Sequence, residues 1–175
     1  MIRFTRLAWA AYAIAVVVIV ADQALKYWVM DVFDLRAHLA QIASETGNYE
    51  PSVPVLGPFH LSLVRNTGVS FGVLNIGAEW ARWVLSIFSI VVAGALAVWA
   101  RQVEKPLLAV ATGLIMGGAI GNVIDRIRLG AVTDFLDFSR MWFPWVFNIA
   151  DSAISVGAVL LIWDLFMAPR KRAPA

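Results

Sequence analysis

The stretch PLLAVATGLIMGGAIGNVIDR, residues 106–126, runs from Pro106 to Ile124 without a charge and then meets an Asp-Arg pair. A helix of about 20 apolar residues crosses the hydrocarbon core of a bilayer. At about 1.5 Å per residue, Pro106 to Asp125 covers roughly 28 Å, close to one core thickness. If Pro106 stands at one membrane face, Asp125 stands at the other. Gly117, Gly118 and Gly121 in this stretch are residues that let helices approach closely.

Working outward, three more stretches share this character. Leu7–Ala21 and Trp83–Ala100 are uncharged, and Ser152–Ala168 is interrupted only by Asp164. The chain is 61% hydrophobic and 15% charged, with mean hydropathy +0.76; soluble domains average about 45–50% apolar. So few charges cannot cover a water-exposed surface, and the eight Trp suit membrane interfaces. The fold expected is a single, mainly α membrane domain with four transmembrane helices near 7–28, 80–100, 106–125 and 148–168. Outer loops 31–79 and 126–147 and a disordered basic tail at 169–175 complete it. Alternating residues within Pro54–Phe71 predict two or three short strands in the first loop; residues 31–58 are assigned no role. Arg3 and Arg6 before an apolar run also fit a cleavable signal peptide, although Asp22–Lys26 reads as continued helix.

Basic residues set the orientation. Arg3 and Arg6, Arg101 and Lys105, and Arg170–Arg172 fall on one side of a four-span chain. Residues 31–79 hold only Arg36 and Arg65 against five acidic residues. The positive-inside rule then puts both termini in the cytoplasm. The net charge of +2, with scattered basic residues, argues against a nucleic-acid partner. The absence of cysteine excludes disulfides, thiolate metal sites and a Cys nucleophile.

Depth gathers the polar residues. Counting back from Arg170 brings Asp151 to the level of Asp125, and Asp134 lies in the segment between them. Asp22 and Lys26, spaced i, i+4 near the same end of the first span, share a helix face and can pair, as a structural ion pair or as support for a site. Asn122 and Arg126 have the same spacing. Arg126 is expected to tie the outer segment to its helix through Asp125 or Asp22.

Several chemistries compete at that face. His38 and His60 lack zinc-protease spacing. A Ser–Lys pair could use Lys26 with Ser70 or Ser152. Asp134 and Asp151 could instead share one proton: the charged carboxylate activates water and the protonated one donates to the scissile carbonyl. That needs no metal and no cofactor. Against this stands a purely structural reading, with Asp151 as a helix N-cap and Asp134 as a solvated loop residue. A non-enzymatic transporter or scaffold is a further alternative, but transporters gather polar groups at mid-membrane.

Five blocks, in order, then resemble the lipoprotein signal peptidase (signal peptidase II) family over nearly the whole chain. They are Asp22-Gln23-Ala24-Leu25-Lys26, Asn66-Thr67-Gly68-Val69-Ser70-Phe71-Gly72, Gly118-Ala119-Ile120-Gly121-Asn122-Val123-Ile124-Asp125-Arg126, Val132-Thr133-Asp134-Phe135 and Phe147-Asn148-Ile149-Ala150-Asp151. The resemblance implies an aspartic endopeptidase of the bacterial inner membrane, with Asp134 and Asp151 as catalytic dyad. Asp22, Lys26, Asn66, Gly68, Asn122, Asp125, Arg126 and Asn148 are implied as supporting or substrate-binding residues. It also implies prolipoprotein substrates cleaved before a diacylglyceryl-modified cysteine, contact with membrane lipid, inhibition by globomycin-type peptides, and a small periplasmic sheet on the outer leaflet. A monomer is expected. One departure is visible: Val69-Ser70 stands where many members carry two small apolar residues.

Overall fold

The computed structural model describes residues 5–68, 78–141 and 143–167. Arg3, the Val69–Gly72 part of the second block, including Ser70, and the tail at 169–175 lie outside them. Four helices are long and apolar enough to cross a membrane. These are α1 (Arg6–Tyr27), α3 (Ala78–Ala100), α4 (Pro106–Leu129) and α5 (Ile149–Met167); a short α2 (Leu35–Thr46) follows α1. Local chemistry fixes the ends. The Thr5 hydroxyl accepts the Ala8 N–H at 3.0 Å to start α1. Pro106 opens α4, where a missing N–H costs nothing. Gly130, at φ 79°, closes it with its N–H on the Arg126 carbonyl. Arg126 and Arg128 are therefore helical.

The quoted stretch is the axis of the bundle. Of the apolar window of α4, 61% is buried, against 28% for α1 and 17% each for α3 and α5. Helices α1, α3 and α5 each pack on α4. The glycines make this possible. A Cβ on Gly113 or Gly117 would press on the Ala11 or Ala15 carbonyl of α1, at 2.6 and 2.7 Å, and one on Gly118 would collide with the Ala150 carbonyl of α5. The charge that interrupts the fourth apolar stretch is neutralised: Lys105 Nζ lies 2.8 Å from Asp164.

At the other end of the bundle lies an antiparallel sheet of β1 (Val53–Leu56), β2 (Phe59–Asn66), β3 (Val132–Asp137) and β4 (Val146–Phe147), in that spatial order. The expectation of strands in the first loop is met by β1 and β2. The second outer segment supplies β3 and β4, which the sequence reading left without an element. Register aligns Val64 with Asp134 and Leu136 with Phe147. The sheet is pinned by a satellite core of Leu35 and Leu39 from α2, Val29, Leu61 and Phe135. Residues 31–58, which had no assigned role, thus carry a helix whose two buried leucines, i and i+4, hold the sheet to the top of α1.

Candidate active site

The fifth motif folds as a helix start. Asn148 is the residue before α5, and its Oδ1 accepts the Asp151 N–H at 2.9 Å. Asp151 Oδ2 in return accepts the Asn148 N–H at 3.3 Å. This is a reciprocal capping box built from Asn and Asp. The structural reading of Asp151 as N-cap is thereby corrected: Asn148 caps, and Asp151 sits three residues inside. The reading of Asp134 as a solvated loop residue also fails. It lies in β3 and is 1% exposed.

Because the Asn148 carbonyl faces the helix, its NH2 must face away. It donates to Asp134 Oδ1 at 2.7 Å and to Asn122 Oδ1 at 3.2 Å. Asn122 then turns its own NH2 to Asp151 Oδ1 at 2.7 Å. Asn66 repeats the device. Its carbonyl accepts the N–H of Gly68, which takes φ 81°, a backbone conformation suited to glycine. Its NH2 is left to donate to Asp134 Oδ2 at 3.1 Å. Three amides with occupied carbonyls thus aim their donors at two carboxylates. Burial, and then the charge of Asp151, raise the Asp134 pKa from 3.8 to about 7, although Asn66, Asn148 and Lys26 favour its ionised form. A carboxyl with a raised pKa beside a second carboxylate can deliver an acid and a base to one bond.

Beside it lies a second, separate carboxylate cluster. Lys26 Nζ sits 2.8 Å from Asp22 and 2.8 Å from Asp125. Each carboxylate also holds a backbone N–H next to the first pair. Asp22 accepts from Ala150, beside Asp151, at 3.0 Å, and Asp125 accepts from Thr133, beside Asp134, at 3.0 Å. One ammonium therefore couples the start of α5 to β3. Gly121 leaves room for this, since a Cβ there would stand 2.9 Å from the Asp22 carboxylate. Depth placed Asp125 with Asp134 and Asp151; the structure assigns it to the Lys26 cluster.

The Asp22–Lys26 pair forms as its spacing predicts. The tie expected of Arg126 does not. Arg126 Nε is buried without a hydrogen-bond partner, and the guanidinium forms no ion pair with Asp22 or Asp125 among the described residues. Lys26 and Gln23 already occupy those carboxylates. Gln23 was missed as a site residue. It donates to Asp125 at 2.9 Å and to Asp22 at 3.1 Å, and its position beside Asp22 in the first block was the available signal. The Ser–Lys alternative loses its base, because Lys26 is 6% exposed and committed to two carboxylates. The Ser152 hydroxyl donates to the Asn148 carbonyl.

Residues 14–167 match the family Peptidase_A8, signal peptidase (SPase) II. The chain belongs to the signal peptidase II family. It is similar to a lipoprotein signal peptidase of Caulobacter vibrioides, 49% identical over 98% of this chain and 95% of that protein. It is 39% identical to one of Pseudomonas putida, over 98% and 94% respectively. A bacterial membrane enzyme solved by the in meso method at 1.9 Å resolution superposes with TM-score 0.71 at 27% identity, covering 97% of this chain and 99% of its own. Like its signal peptidase II relatives, the chain is a peptidase, and its four apolar helices make it a multi-pass membrane protein.

Proposed function

We propose that the chain is an aspartic endopeptidase that removes signal peptides from diacylglyceryl-modified prolipoproteins, cleaving before the lipidated cysteine. The observation that carries this reading is the pair of carboxylates, Asp134 and Asp151, each fed by asparagine NH2 donors, with Asp134 titrating at about 7. Asp151, ionised, takes a proton from water as the water oxygen attacks the carbonyl carbon. Asp134, protonated, gives its proton to the carbonyl oxygen. Collapse of the tetrahedral intermediate breaks the C–N bond: one of its hydroxyls returns a proton to Asp134 as the new carbonyl forms, and the proton held by Asp151 passes to the leaving amine of the cysteine. The signal peptide leaves with a new carboxyl group.

Orientation follows the basic residues: both termini in the cytoplasm, the enzyme in the bacterial inner membrane, and the sheet end at the outer leaflet. The scissile bond of a lipidated substrate lies at that same depth, so cleavage needs no extraction of the signal helix. The supporting roles fall to Asp22, Lys26, Asn66, Gly68, Asn122, Asp125, Arg126 and Asn148, and the working unit is the monomer. Membrane lipid surrounds the spans, and a globomycin-type peptide competes for the substrate site. The test is cleavage of a diacylglyceryl-modified prolipoprotein in detergent, with and without globomycin. Wild type cleaves and the inhibitor stops it. Cleavage persisting in Asp134→Asn or Asp151→Asn overturns the dyad.

A further inference from the structure

A cleft of about 800 Å3 at the sheet end is left unused by the dyad chemistry. Its lining includes Val64, the cross-strand partner of Asp134. From there it follows β2 back past Ser62 towards Asp137 and Arg140. Arg140 donates to His60 Nε2 and to Ser52 Oγ, at 3.2 Å each. His60 thus accepts on Nε2, which leaves Nδ1 to meet Ser52 Oγ at 3.1 Å. Val64 to His60 spans about 13 Å of strand, the reach of about four extended residues.

The charges along this cleft are unevenly matched. Its floor carboxylate, Asp137, is already engaged by the Ser62 hydroxyl and the Ser139 N–H. Burial works to raise the Asp137 pKa, but these bonds outweigh it and hold the group below the usual carboxylate range, hence anionic. Glu50 is the exposed acid of the rim. Three guanidiniums line the same space. Among the described residues Arg140 bonds to His60 and Ser52, Arg65 donates to the Leu129 carbonyl, and Arg36 on α2 has no bond. Among the described residues none of the three is in an ion pair.

A hydrolysed bond has two sides. The apolar signal helix belongs with the spans, and the chain after the cysteine must leave past the sheet. We propose that this cleft is the exit subsite for the first residues of the mature lipoprotein, and that Arg36 and Arg140 there select acidic side chains. The proposal rests on the peptidase reading above. Its occupant follows from two features: Val64 in its lining stands across the strand pair from Asp134, and its unneutralised guanidiniums complement carboxylates. Arg36 comes from α2, so the helix that pins the sheet also contributes to the choice of substrate.

The test uses three diacylglyceryl-modified prolipoproteins, identical through the cysteine and acidic, neutral or basic at the next four residues. With the full-length enzyme, KM rises in the order acidic, neutral, basic, by about threefold per step, the worth of an exposed ion pair. Arg36→Gln, at a side chain with no described partner, lowers the acidic-to-neutral preference about threefold, and Arg36→Lys restores part of it. Arg140→Gln acts in the same direction. Equal KM for all three substrates in wild type overturns the proposal, as does unchanged selectivity in both glutamine variants. A uniform KM rise across the three substrates also overturns it, and points to a lipid phosphate as the ligand. Failure of wild type to cleave any of the three refutes the peptidase reading itself.

Discussion

Replacing Lys26 by Met removes one charge and keeps most of the side-chain length. Its Nζ stands 2.8 Å from Asp22 and from Asp125, with the three side chains 7%, 0% and 3% exposed. At an effective dielectric constant near 20, each contact is worth about 6 kcal/mol of gross attraction. Desolvation of three buried ions offsets most of that, so the net contribution of the triad to stability is small. Breaking it is another matter, because two buried carboxylates are left facing each other; such losses run to about 3–5 kcal/mol. The expected result for Lys26→Met is a loss of that size, read by denaturant or thermal unfolding in detergent. Asp22 holds the Ala150 N–H and Asp125 the Thr133 N–H, so cleavage measured on the folded fraction should fall too. Lys26→Met/Asp125→Asn discards one stranded charge and should recover part of the stability. A single variant within about 1 kcal/mol of wild type, with full cleavage, would refute the idea that one ammonium couples α5 to β3.

Asp134→Asn and Asp151→Asn should each lower the cleavage rate by about 10²–10⁴-fold while leaving a folded protein, checked by single-turnover kinetics and unfolding curves. Asn148→Ser keeps a good helix cap but removes the NH2 aimed at Asp134. It should change stability by less than about 1 kcal/mol and still reduce kcat. Because the folded Asp134 pKa of about 7 lies above its ordinary 3.8, the folded state binds the extra proton. Stability should therefore fall as pH rises from about 4 to 7 and then level off, and Asp134→Asn should flatten that slope. Cleavage should decline above about pH 7 as the acid is lost. Gly118→Ala drives a Cβ into the Ala150 carbonyl; it should cost about 1–3 kcal/mol and loosen the Asn122–Asp151 bond, seen as joint loss of Tm and activity.

Some of the site was open to reading along the chain. Asp22 and Lys26 pair because helix geometry alone brings i and i+4 together. Other features resisted. Helix α2 buries only Leu35 and Leu39, and it folds there because they meet Val29, Leu61 and Phe135 from elsewhere in the chain. Strand β3 is buried on account of its neighbours in the sheet. Arg126 was assigned the wrong partners, since spacing does not reveal that Lys26 reaches the same carboxylates first.

The bilayer part was legible along the chain: four spans and a set of polar residues at one end. Lipid is an unforgiving solvent, so the cost of a charge in hydrocarbon is legible residue by residue. Which aspartates stand together was decided by tertiary structure. Asp125, counted along the chain to one level with Asp134 and Asp151, joins Lys26 instead, because hydrogen bonds act over about 3 Å and depend on which side chains the packed backbone turns towards each other. The amides of Asn66, Asn122 and Asn148 acquire a direction only when their carbonyls are filled, and that requires the folded turn at Gly68, the start of α5 and the approach of α4.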